Sequence, residues 1–90
     1  MKILNMTLKK KWFDMILSGE KTEEYREMKP YWHTRLLNKE YDYIRFKNGY
    51  AKDAPEFTIE FKTLCSGLGI TEWGAPENQE VYIIALGKII

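Results

Sequence analysis

The chain has 90 residues, enough for one domain with one modest core, because a chain this short buries only about 60–65 % of the surface its unfolded form exposes. Hydrophobic residues make up 44 % and charged residues 30 %, which excludes a disordered chain. The net charge of +1 excludes a protein that grips duplex phosphate through a broadly basic face, so any nucleic-acid binding has to come from a local site.

Cys65 is the only cysteine, which leaves no intrachain disulfide and no cysteine-based zinc site and fits a reducing cytoplasm. The opening Met1 to Met6 is too short an apolar run for a signal peptide, and no segment approaches the ~20 apolar residues of a membrane span. The expectation is a cytoplasmic protein with no membrane partner.

Taken in order, residues 3–8 alternate, with Leu4, Met6 and Leu8 on one face, and predict a half-buried strand. Lys9 to Ser18 predicts a helix whose apolar stripe is Trp12, Phe13, Ile16 and Leu17. Lysines at 9, 10 and 11 crowd its N-terminal end, where the helix dipole disfavours them; they are solvated charges or phosphate contacts. Gly19 supplies the left-handed stop. After it the period becomes two, so Thr22, Glu24 and Arg26 share one face of a strand over 22–26, Glu23 and Tyr25 the other, and Lys21 stands at the corner.

Pro30 predicts a new helix start, running to Leu37. It carries the lone histidine, His33, read as a partly exposed structural residue or, as the alternative, a site histidine, with no metal role expected. Residues 41–47 alternate, with Ile44 and Phe46 facing the core and Tyr43, Arg45 and Lys47 facing away. Asn48-Gly49 signals a turn, yet the next strand begins only after Pro55, and longer loops in compact domains are often functional. Phe57, Ile59 and Phe61 alternate with Thr58, Glu60 and Lys62 in a fourth strand. Cys65 to Gly74 reads as a glycine-rich loop that is neither a P-loop nor a dinucleotide fingerprint. Val81 to Leu86 is nearly continuous apolar and predicts a strand buried on both faces. The sum is a mixed α+β, mainly-β fold: a small closed or nearly closed barrel with two short helices inserted early.

The stretch Gly19-Glu20-Lys21-Thr22-x-Glu24-x-Arg26 resembles the signature of the ASCH domain, a small β-barrel family related to the PUA domains. Lys11 to Leu17 is similar to the helix that leads into that signature, and Val81 to Gly87 resembles the family's last strand. The resemblance implies one PUA-like domain over residues 1–90, a barrel of five or six strands with helices packed at one end and a cleft beside them. It also implies a base, nucleotide or single-stranded RNA as ligand. Some small members of the family are amidohydrolases acting on acetylated cytidine, and others have been linked to RNA cleavage. The amidohydrolase branch pairs the motif lysine with a threonine three residues on and a glutamate from a later loop. Lys21 matches the lysine, Glu24 stands in place of the threonine, and Glu72 and Glu77 are candidates for the later acid.

The candidate binding set is therefore Lys21, Thr22, Glu24, Arg26, Arg45, Asn48, Tyr50 and Trp73. Arg26 offers a rigid fork of donors. Glu24 accepts from an exocyclic amine as carboxylates do with cytosine. Tyr50 and Trp73 lie in glycine-flanked loops and suit stacking, worth roughly 1–3 kcal/mol per base. Lys21 and Glu24 are the catalytic pair if there is chemistry. An opposite charge beside Lys21 is expected to hold it protonated, favouring binding over nucleophilic attack. The bland alternative is a salt bridge from Glu24 to Arg26 or Lys21, and a third reading is a protein-interaction module without a ligand cleft. No cofactor is expected.

Overall fold

A computed structural model describes residues 1–90. In chain order the elements are β1 (Ile3–Leu8), α1 (Lys10–Leu17), β2 (Glu23–Glu27), α2 (Pro30–Leu36), β3 (Tyr43–Asn48), β4 (Glu56–Leu68), a 3₁₀ turn over Thr71–Trp73, and β5 (Glu80–Ile89). The strands form one curled half-barrel sheet in the order β1-β3-β4-β5-β2. β1 runs parallel to β3, with Leu4 against Ile44 and Met6 against Phe46. The remaining pairs are antiparallel. This is the mainly-β, two-helix architecture that the alternating segments predict. No helix is long and apolar enough to cross a membrane.

The alternation sets the core. Leu4, Met6, Leu8, Ile44, Phe46, Ile59, Ile84 and Leu86 all point into the half-barrel, where Phe13 and Ile16 of α1 and Leu36 of α2 close it. Each such side chain contributes about 1.5–3 kcal/mol by leaving water. Phe13 meets Phe57 edge to face at 4.9 Å. Leu17, which the helical stripe assigns to the core, is exposed instead, because the helix ends there and the chain turns away. β5 is buried on both faces, as its apolar run predicts. Tyr82, Ile84 and Leu86 face the main core, while Val81 and Ile83 pack with Tyr25, Ala75 and Trp73 in a second cluster outside it.

The expected glycine-rich loop over 65–74 is largely strand. Cys65, Ser66 and Gly67 continue β4 and pair with Ile83, Tyr82 and Val81. Two register shifts between Ile59 and Thr63 change the phase of the alternation, so a period-two reading loses the strand at that point. What remains is a shorter segment, residues 69–79, folded over the second cluster.

Candidate functional site

The site begins at the end of α1. Gly19 takes φ +88°, a conformation that costs a residue with a Cβ strain even though the space around it is open. The turn lets the Lys21 N–H donate to the Met15 carbonyl at 2.9 Å, satisfying one of the helix's orphan acceptors. Lys21 is thereby swung beneath the helix end and is 2 % exposed. Its ammonium donates to the Trp73 carbonyl, lies 3.1 Å from Glu24 Oε1, and sits 4.7 Å and 5.2 Å from the ring centres of Tyr25 and Trp12.

β2 then carries the acid and the guanidinium inward. Glu24 stands opposite Ile84 and Arg26 opposite Tyr82, and residues facing across an antiparallel pair share a face, here the core face. Arg26 Nη1 is 2.8 Å from Glu24 Oε2. The approach is off the N–H direction, so this is an ion pair rather than an aligned hydrogen bond, and Glu24 Oε2 and Arg26 Nε are both buried without a hydrogen-bond partner. Arg26 also donates to the Tyr25 carbonyl at 3.1 Å and, more weakly, to the Thr7 carbonyl of β1 at 3.5 Å. β1 and β2 are the two free edges of the sheet. Arg26 is the side chain that spans them.

A notch of about 240 Å³ opens at this seam. Glu24, Arg26 and Tyr25 form one wall, Thr7, Leu8 and Lys9 another, and Trp12, Trp73 and Gly74 the third. A neighbouring hollow of about 420 Å³ shares Tyr25, Arg26 and Gly74 with it and adds Trp32, whose ring centre is 5.1 Å from the Arg26 guanidinium. All three tryptophans of the chain thus line hollows to which Arg26 also contributes. A larger hollow of about 900 Å³, between Lys2-Ile3 and residues 38–41, has no buried charged side chain on its walls and lies away from this cluster.

The segment over the second cluster is clamped from below. The Tyr25 hydroxyl donates to Glu23 Oε1 at 2.8 Å and accepts the Ile70 N–H at 3.0 Å. Gly69 leaves no room for a Cβ, which would come within 2.7 Å of the Tyr25 ring. Gly74, at φ +101°, lets the backbone turn against the Trp12 ring, where a Cβ would lie 3.0 Å away. These contacts fix the Trp73 carbonyl over Lys21. Burial pushes the Tyr25 hydroxyl above the ordinary tyrosine range, with the Ile70 N–H opposing and Glu23 adding to the rise.

Burial also governs Lys21. The loss of water lowers its pKa from 10.5, and the Glu24 carboxylate offsets this only in part. Desolvation is the larger of the two opposing effects in a site this enclosed.

The sequence-derived set separates into two groups. Lys21, Glu24, Arg26 and Trp73 come together. Trp73 does so through its carbonyl and a half-buried ring rather than as a mobile platform. Thr22 is exposed and only its carbonyl is engaged, by the Leu86 N–H. Arg45 alternates with Ile44 and Phe46 and so faces out of the barrel. Asn48 closes the following loop by donating its N–H to Pro55, and Tyr50 is 92 % exposed in that loop; neither borders the notch. Glu72 and Glu77 are exposed and do not border it either. His33 stacks edge-on against Tyr82 and hydrogen-bonds its hydroxyl through Nδ1. The pattern reading missed Thr7, Lys9, Trp12 and Tyr25 as notch residues. For Trp12 the signal was present: it sits at the margin of the apolar stripe, beside the lysine run.

Compared with protein-family models, with curated proteins and with solved structures, the chain matches none of them.

Proposed function

We propose that this chain is a ligand-binding module of the ASCH, PUA-like kind, and that its notch takes a nucleobase, free or as part of single-stranded RNA. One observation carries the reading. A buried ion pair, Glu24 Oε2 with Arg26 Nη1 at 2.8 Å, forms part of the wall of a tryptophan-lined notch, and the buried Arg26 Nε–H has no acceptor. Leaving that donor unsatisfied costs about 1–3 kcal/mol, and an acceptor on a ligand's edge removes the cost. Aromatic walls suit a planar ring. A local site also agrees with a net charge of +1 and with a free, exposed Cys65 kept reduced in a cytoplasm.

The direct test uses the chain's own fluorophores. Because every tryptophan lines a hollow that Arg26 also lines, nucleosides and short single-stranded RNAs should quench the intrinsic fluorescence saturably and raise the thermal midpoint. Arg26→Ala should weaken binding at least tenfold and Arg26→Lys nearly as much, since a lysine cannot reproduce the fork. Absence of quenching and of any thermal shift at low salt overturns the reading. The salt dependence should be shallow, with few phosphates neutralised.

A second reading, amide hydrolysis on an acylated nucleoside, is favoured by the lowered pKa of Lys21, since a lysine nucleophile or base needs that shift. The partners of the amine differ from those of the amidohydrolase branch: the acid nearest to it is Glu24, in place of a threonine. Incubation with acetylated cytidine and with RNA, comparing wild type with Lys21→Met, decides it. Turnover that survives Lys21→Met removes the mechanism. The protein-interaction reading is weakest, because Glu24 and Arg26 line a concavity, with Lys21 buried against Glu24, rather than spreading over open surface.

A further inference from the structure

We infer that the notch and the hollow beside it form one groove for two consecutive nucleotides of single-stranded RNA, with one base in each; this rests on the base-binding reading above. The notch holds about 240 Å³ and its neighbour about 420 Å³. Small-molecule sites usually span ~300–1,000 Å³. The notch alone falls below that range, so a ligand larger than one base has to extend beyond it. The neighbour shares Tyr25, Arg26 and Gly74 with the notch. Gly74 carries no side chain, so on that side only backbone stands between the two.

Each hollow has its own flat surface. Trp12 and Trp73 line the notch, and Trp32 lines its neighbour. The Arg26 guanidinium lies over the Trp32 ring at 5.1 Å, so indole and cation form one stacking element at the boundary. Unpaired bases stack on aromatic rings and on guanidinium planes alike. Gln79, on the wall of the second hollow, brings an amide with both a donor and an acceptor to a base edge. The acids on the walls do not repel a phosphodiester freely. Glu24 is paired with Lys21 and Arg26, and Glu27 with Lys29 at 3.1 Å. The linking phosphate crosses at the shared wall, where Arg26 is the cation common to both hollows. Two bases can occupy separate hollows only when neither is paired in a duplex, which makes the ligand single-stranded.

Calorimetric titration at low salt tests this with the four ribonucleosides, their 5′- and 3′-monophosphates, dinucleoside monophosphates and inorganic phosphate. At least one dinucleoside monophosphate should bind about tenfold or more tightly than either of its component mononucleotides. Because the mononucleotides already carry a phosphate, that margin reports the second base. Trp32→Ala should shrink the margin to within about threefold. Trp32 packs against the main core, so a thermal melt checks that this variant is folded. Gln79→Ala, at an exposed position, should cut the margin about threefold without moving the thermal midpoint. A margin unchanged in both variants overturns the two-hollow groove. Mononucleotides that bind as tightly as every dinucleoside monophosphate overturn the second subsite and leave the base reading standing. Inorganic phosphate binding as tightly as any nucleotide, or no binding by any nucleoside, nucleotide or dinucleoside, overturns both.

Discussion

The half-barrel is held together in two different ways, within the sheet and between its edges. Along β4 and β5 the chain is zipped by a backbone ladder from Thr63–Ala85 to Leu68–Glu80, lined by apolar side chains on both faces of β5. Between β1 and β2, the free edges, there is no ladder, and a single guanidinium reaches from one strand to the carbonyl of the other. The first closure is spread over many residues and tolerates small changes. The second depends on a chain of three charges, Lys21, Glu24 and Arg26, each of which is stable in the interior only because of the next. A seam held by side chains can also open its polar groups to a ligand, which a ladder cannot do without unpairing its backbone.

The contrast is broken most severely at Glu24. Glu24→Ala leaves the Lys21 ammonium buried without a carboxylate and should cost about 3–5 kcal/mol in urea denaturation, a large part of the stability of a domain this size. Combining it with Lys21→Met should recover much of the loss, because the fully buried ammonium is then gone and only the partly exposed Arg26 lacks its carboxylate. Gly74→Ala tests the clamp over Lys21. Its φ of +101° and a Cβ 3.0 Å from the Trp12 ring predict a cost of about 1–3 kcal/mol. On the ladder side, Ile84→Val removes one methylene from a fully buried position and should cost only about 0.5–1.5 kcal/mol.

The smallest effect is a slope in the pH profile. The folded pKa of Lys21 lies below 10.5, so between that value and 10.5 the unfolded chain binds more protons than the native one, and stability should rise with pH across this window. Above pH 10 Tyr25 acts in the opposite sense: the native hydroxyl stays protonated while the unfolded one ionises, so its contribution to stability falls. Lys21→Met should flatten the rise, and Tyr25→Phe should remove the fall. Profiles of both variants indistinguishable from wild type would mean that neither group is desolvated as described.

The same contrast separates what was legible in the sequence from what was not. Ile3–Leu8 and Tyr43–Asn48 announce themselves by clean alternation, and the triad at 21, 24 and 26 by charge placed just after a glycine stop. Local pattern is sufficient when a residue's role is set by its own element. The far half of β4 was hidden because its bulges shift the phase and because Ser66 and Gly67 are residues usually met in loops. The notch itself was hidden for a different reason. It is assembled from β1, α1, β2 and the 69–79 segment, which only the strand order brings together. That order also explains why Arg45 and Tyr50, plausible by composition, end up elsewhere: Arg45 is committed to the outward face of β3 and Tyr50 to the tip beyond it.

The position of β5 has a consequence for assembly. It lies between β4 and β2, so Glu23 finds its ladder partner only in Ala85, and Thr22 in Leu86. On a ribosome, β2 must wait until β5 has been made, and closing so long a loop is slow. Until then the three charges stay hydrated and their desolvation is postponed to the last step. The interior acquires its lysine only once the strand that shelters it has docked.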